Sequence, residues 1–226
     1  MREFDEFVAL GSSCVPSLST RSLGIRKAAY PFDWIRTNNK IIYDIFKNGP
    51  EKFLSFKKNK STKEEFYIRE MYESLPFYLQ KRLFDAKINS YGQYFTHYTK
   101  SSIQQIEEKF DRKFNRFFDL LKSSKKVLFI QTHEDLILNK IYREKKNLFY
   151  DYLKKINDHI LEKYKDLEFT IINIDVDNKE NENYKNIVNL NLEYFGEFGT
   201  SWENNVTDTQ NYRNNAKLAI KDFLEI

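Results

Sequence analysis

This chain of 226 residues has one cysteine, three histidines, six glycines and four prolines, and each scarcity removes a class of protein. A single cysteine closes no internal disulfide and supplies no multi-thiolate zinc site. No GxGxxG or GxxxxGKS/T run is present, which counts against the common loops that cradle phosphate. No apolar stretch approaches the roughly 20 residues that cross a bilayer, and MREFDEF carries acids where a signal peptide would be apolar. The 37 basic and 33 acidic residues are spread along the chain, so a net charge of +4 makes no bulk field for nucleic acid or an anionic membrane. The expectation is a cytoplasmic protein with no membrane span and no nucleic-acid partner. Any anion site has to be local, and nothing in the pattern fixes an oligomeric state.

What is present is apolar and aromatic. A hydrophobic content of 41%, with 16% aromatic residues, is enough for one sizeable core and argues against disorder, so residues 1–226 read as a single domain. The stretch 4–10, FDEFVAL, reads as a buried strand stopped by Gly11. A helix then starts near Ser13 or Cys14, tolerates Pro16 in its first turn and ends at Gly24. A second helix lies between Thr37 and Phe56, with Gly49-Pro50 as a stop. Residues 57–100 are irregular, basic and rich in tyrosine, and are expected to form a mainly helical insertion or lid.

The clearest periodicity is at 101–122, where Ile103, Ile106, Phe110, Phe114, Phe117 and Leu121 recur at steps of three and four. KKVLFIQ follows, a continuous apolar run suited to a strand buried on both faces. A helix near 144–164, strands LEFTIINI and KNIVNLNL, and a closing helix NYRNNAKLAIKDFLEI complete the pattern. Strands alternating with long helices predict an α/β three-layer sandwich, with a mostly parallel sheet and helices on both faces. Ligands in such sheets bind beyond the carboxyl ends of the strands.

That rule collects Gly11-Ser12-Ser13-Cys14, then Thr132-His133-Glu134-Asp135, then Asp175 and Asp177, and finally EYFGEFGTSWENNVTDTQN, residues 193–211, read as a loop. A thiolate nucleophile, an imidazole base and turn N–H groups for an oxyanion are what acyl transfer requires. A cysteine at a helix N-terminus has its ionised form favoured by the helix dipole. Against this stand plainer roles: a lone cysteine is commonly buried, and His97, His133 and His159 can each be structural. Lys109, Arg112, Lys113 and Arg116 form a basic stripe that suits a phosphate or carboxylate, or is simply a wet helix face.

LGSSCVPSLSTRSLGIRKAAYPFDWI resembles the start of a family of papain-like cysteine peptidases, in which a Leu-Gly-x-x-Cys turn is followed by a Tyr-Pro-Phe-Asp-Trp block. YFTHYTK is similar to that family's Phe-x-His block, and KFDRKFNRFFDLLKSSKKVLFIQ to its basic helix and following strand. The resemblance implies Cys14 as nucleophile and His97 as its histidine, singles out Asp33 and Trp34, and places Arg112, Lys113 and Arg116 on the basic helix. The chain departs from the family in carrying Tyr98-Thr99 after the histidine, where Asp-Phe is expected.

A second resemblance is to SGNH, or GDSL-like, hydrolases and acyltransferases. LGSSC is similar to their first block and TDTQNYRNNAKLAIKDFL to their last, with Asp208 in place and Asn211 where a histidine belongs. An asparagine is no general base. This relation therefore implies a base brought in from His133 or His97, with Ser12 as an alternative nucleophile.

The leading expectation is a cysteine-dependent acyl-transfer enzyme, a hydrolase or acyltransferase acting on a small molecule, a carbohydrate or a polysaccharide precursor. In it Cys14 attacks, His97 or His133 is the base, and Asp33 or Asp208 orients that base. Gly11, Ser12, Ser13, Trp34, Arg112 and Arg116 line the oxyanion and substrate sites, and no metal or cofactor is called for. Two alternatives are a transferase using a nucleotide-activated or phosphorylated donor, with the Asp175/Asp177 pair on phosphate or metal, and a noncatalytic binding module.

Overall fold

The computed structural model describes residues 2–11, 14–35, 37–56, 86–91, 93, 95–132, 146–176, 182–192 and 202–226. Four parallel strands form one sheet in the order β1-β2-β3-β4: β1 Glu6–Ala9, β2 Lys126–Thr132, β3 Glu168–Val176 and β4 Ile187–Leu192. Registers are Glu6↔Val127, Lys126↔Glu168 and Ile171↔Ile187 at their starts. The helices are α1 Val15–Ser22, α2 Asn39–Asn48, the single turn α3 Glu51–Leu54, α4 Ile103–Leu121, α5 Lys146–Lys163 and α6 Trp202–Leu224.

Alternation along β2 explains the layers. Val127 and Phe129 enter one core with Val8, Leu10 and Ile171, covered by residues of α2, α4 and α5. Leu128 and Ile130 enter the other with Phe7, Ile172 and Ile174, covered by Val15 of α1 and by Tyr212, Ala216 and Ile220 of α6. The central strands β2 and β3 are thus largely apolar on both sides because helices lie on both sides. This is the α/β three-layer arrangement the pattern predicts.

The first core is unusually aromatic. Phe110, Phe114 and Phe117 of α4 are all but sealed and meet Phe32, Phe46, Phe53 and Phe95 edge-on or tilted. Burying one such ring contributes about 1.5–3 kcal/mol, so truncating Phe114 to alanine would cost about 3–5 kcal/mol once the cavity is included. Helix α4 starts where it does because Ser102 and Gln105 close a capping box, and α2 because the Asn38 side chain accepts from the Ile41 N–H.

Most expected boundaries agree with the structure to within a few residues. Helix α6 is the exception, for it begins at Trp202 and not at Asn211. The last glycine of the chain is Gly199, and Trp202–Gln210 holds neither glycine nor proline, so nothing stops the helix from extending back that far. Asp208 and Asn211 consequently lie within the helix instead of preceding it. The expected insertion at 57–100 falls outside the described residues through 85. Of its remainder, Asn89 bridges Phe56, and Thr96–Tyr98 forms a 3-10 turn.

Candidate active site

Cys14 follows β1 at the carboxyl edge of the sheet, where it is the half-buried N-cap residue of α1 and its carbonyl accepts from the Leu18 N–H at 3.0 Å. The turn that delivers it depends on Gly11. This residue has φ +85°, and a Cβ there would sit 3.0 Å from Thr37 Cβ and 3.1 Å from its carbonyl oxygen. Both the left-handed backbone and the close approach require glycine. Ser12 and Ser13 lie outside the described residues.

One helical turn after Cys14, the Ser17 hydroxyl donates to Asp33 Oδ1 at 3.0 Å. Asp33 Oδ2 accepts from the Tyr30 N–H at 2.8 Å and from the Arg26 guanidinium. Asp33 is only 2% exposed, so these donors replace its hydration and bolt the Tyr30–Trp34 block to the start of α1. Arg26 also donates through Nε to the Ala28 carbonyl at 3.2 Å, and its guanidinium lies 5.7 Å from the Trp34 ring. Tyr30 donates to Glu6 Oε2 at 3.1 Å; burial and that carboxylate hold its phenol protonated well above the usual range.

Trp34 then reaches the imidazole, with its ring centroid 5.7 Å from that of His97 in an edge-on contact. His97 is exposed, but the turn that carries it is not loose: Phe95 and Tyr98 on either side are buried and meet Phe110 edge-on. Farther back, Gln93 donates to Thr37 Oγ1 at 2.8 Å, and Thr37 is the residue against Gly11. The histidine segment and the cysteine turn are therefore braced twice against one another, through Thr37 and through the Asp33–Trp34 corner.

Beneath the turn lies Lys113, 5% exposed, whose ammonium donates to the Tyr98 hydroxyl at 3.5 Å and sits 4.5 Å from the Phe110 ring. Burial pushes its pKa down to about 8; Asp33 opposes that shift, while Lys109, Arg26 and Arg116 add to it. Burial, with Asp33 adding, pushes Tyr98 up to about 12. Of the basic stripe, Arg112 is exposed, and Arg116 is exposed but donates to the Ala29 carbonyl at 2.8 Å, steadying the loop ahead of Tyr30.

Other candidates sit elsewhere. His133 and Asp177 lie outside the described residues, as does the side chain of Asp208. Asp175 is buried at the end of β3. His159, expected to be solvated, is instead half-buried between α2 and α5, edge-on to Tyr43, Phe46 and Tyr164, and burial lowers its pKa. Among the described residues there is no group of three or more His, Cys, Asp or Glu side chains placed to hold a metal ion, and no helix is long and apolar enough to cross a membrane. Ser17, Arg26 and Tyr98 escaped sequence reasoning. Of these only Ser17 had a signal, its place one turn beyond the cysteine.

The model of a family described as "Putative papain-like cysteine peptidase (DUF1796)" matches residues 5–179. Cys14, Asp33, Trp34, His97 and Lys113 all fall within that span, and Asp208 falls beyond it. An uncharacterized protein of Acanthamoeba polyphaga mimivirus is 29% identical over 147 residues, which take in 61% of this chain and 65% of that relative's length. No solved structure matches the chain.

Proposed function

The chain belongs to this family of papain-like cysteine peptidases, which supports a cysteine-dependent hydrolase, and from that premise we propose that Cys14 is the nucleophile of an acyl-transfer reaction with His97 as its base. The observation that carries the reading is the bracing just described. A cysteine at a helix N-terminus is tied by Ser17 and Asp33 to the tryptophan that meets an exposed histidine, although 83 positions separate Cys14 from His97.

In this reading the Cys14 thiolate attacks an acyl carbonyl, an S–C bond forms, and the leaving group departs with the proton held by the His97 imidazolium. The neutral imidazole then takes a proton from water or from a carbohydrate hydroxyl. That oxygen attacks the thioester, and the thiolate is released. The partial positive charge at the start of α1 favours both the thiolate and the developing oxyanion, with Gly11 permitting close approach. Asp33 acts as a positioning residue: it spends its acceptors on Ser17, Tyr30 and Arg26, and so orients Trp34 against the imidazole.

Alkylation of Cys14 by iodoacetamide across pH tests this. An activated thiol reacts with an apparent pKa well below the unperturbed value of about 8.5, and His97→Gln moves it back toward that value. A wild-type rate that rises only near 8.5, unchanged by His97→Gln, overturns the assignment. Protection of the thiol by an acyl-CoA supports transfer. Thermal stabilisation by a nucleotide-sugar with a divalent metal, leaving alkylation untouched, supports the donor-binding alternative instead.

A further inference from the structure

We infer that Lys113 and Arg26 form an oxyanion-recognition subsite beneath the His97 turn, which takes a carboxylate or phosphate carried by the substrate. This deepens the acyl-transfer reading and rests on it for what the anion is attached to. The observation behind it is a charge imbalance inside the fold. Lys113 is 5% exposed, and among the described residues its ammonium has one hydrogen bond, a 3.5 Å contact to the neutral Tyr98 hydroxyl. An ammonium has three donors, and sealing one away with so little compensation is costly unless something else pairs with it. Phe110 supplies only a ring face at 4.5 Å.

Among the described residues, the surroundings do not supply the missing anion. Arg26, Lys109 and Arg116 all act on Lys113 with like charge, and Asp33 is the one carboxylate among them. Both oxygens of Asp33 are already engaged, one by Ser17 and the other by Arg26 and the Tyr30 N–H. Arg26 is anchored through Nε and one terminal nitrogen, which leaves its other terminal nitrogen as a donor. Four cations share one spoken-for carboxylate next to the histidine, so the field there is positive and focused by buried aromatic walls. A second oxyanion would balance the charge and give Lys113 the acceptors it lacks. Recognition of a planar or tetrahedral oxyanion by a lysine with an arginine is ordinary chemistry for these side chains.

A buried charge that its surroundings leave uncompensated is a candidate functional site. An apolar residue of similar length would fit beside Phe110 and Tyr98 without the penalty, and exchanges of this kind are commonly neutral or stabilising. The cost is therefore one the fold has no structural need to carry.

The test uses the full chain with two probes, acetate and inorganic phosphate, titrated at constant ionic strength against chloride and followed by calorimetry and thermal melts. The inference expects saturable binding of at least one probe at pH 7, and which one binds separates a carboxylate-bearing from a phosphate-bearing substrate. Lys113→Met is expected to melt no lower than wild type and to bind at least tenfold more weakly, Lys113→Arg to retain part of the binding, and the remote Lys154→Gln to change nothing. Acetate binding is also expected to weaken at least tenfold between pH 7 and pH 9.5, as the amine discharges. Cys14→Ser keeps anion binding while losing the alkylation signal, so this inference and the acyl-transfer reading fail separately. Equal binding by Lys113→Met, or no effect of either probe beyond that of chloride, overturns the subsite. So does a Lys113→Met protein that fails to fold while Lys113→Arg folds and binds neither anion.

Discussion

The corner around Asp33 and the corner around Lys113 adjoin, and each hides an ionic side chain almost completely, at 2% and 5% exposure. Among the described residues they are furnished in opposite ways. Asp33 receives a hydroxyl, a backbone N–H and a guanidinium, whereas Lys113 gives one long bond to a phenol. The difference teaches how to read buried charge: where both oxygens are engaged the group is a fastener, and where donors are left over it awaits something. The first corner holds the cysteine helix to the tryptophan. The second lies beneath the turn that carries His97.

The largest test of that contrast is Asp33→Ala. It strands a half-buried guanidinium, a buried hydroxyl and a backbone N–H, and urea unfolding is expected to show a loss of about 3–5 kcal/mol. A loss below about 1 kcal/mol would mean that the two corners are not different in kind. Next comes pH. The folded pKa of Lys113, about 8, lies below its unfolded value of 10.5, so the unfolded chain binds more protons between them. Stability is therefore depressed below pH 8 and recovers as pH rises through 8 to 10.5, by about 3 kcal/mol at most. Tyr30 and Tyr98 keep their protons above the unfolded value of 10.0 and act in the opposite sense only beyond pH 10, so the rise is best read between 8 and 10. In Lys113→Met that rise is expected to vanish.

Smaller is Ser17→Ala, which removes one donor from a carboxylate that keeps two others. It is expected to cost about 1.5 kcal/mol and to slow Cys14 alkylation as α1 loosens. Smallest is Trp34→Leu, which loses an edge-on contact with an exposed ring. About 0.5–1 kcal/mol of stability is expected to go. The informative readout is the His97 imidazole resonance across pH, which shifts if Trp34 orients that ring and stays put if it does not.

The architecture was legible because its signals are periodic. The i, i+3, i+4 recurrence from Ile103 to Leu121 fixes α4, and the unbroken apolar runs of β2 and β3 announce helices on both faces. Cys14, Asp33, Trp34 and His97 were legible as a set because local motifs mark them. The corner that joins them was not, since Arg26 and Lys113 are cations in a chain with 37 of them, and nothing in their spacing says which side of a helix is dry. Lys113 shares its stripe with Arg112, yet neighbouring residues of a helix point about 100° apart, and one is buried while the other is exposed. The start of α6 was missed for a related reason, because helix propensity through Trp202–Gln210 is unremarkable and no stop signal is there to be read.

The pairing of β1 with β2, Glu6 beside Val127, carries a consequence for how the protein comes into being. The strand that aims Cys14 has no neighbour until well over a hundred further residues have left the ribosome, and contacts this distant in sequence form late. A nascent chain thus carries its thiol on an unanchored segment for most of its synthesis. On the acyl-transfer reading, activation of Cys14 waits on that pairing.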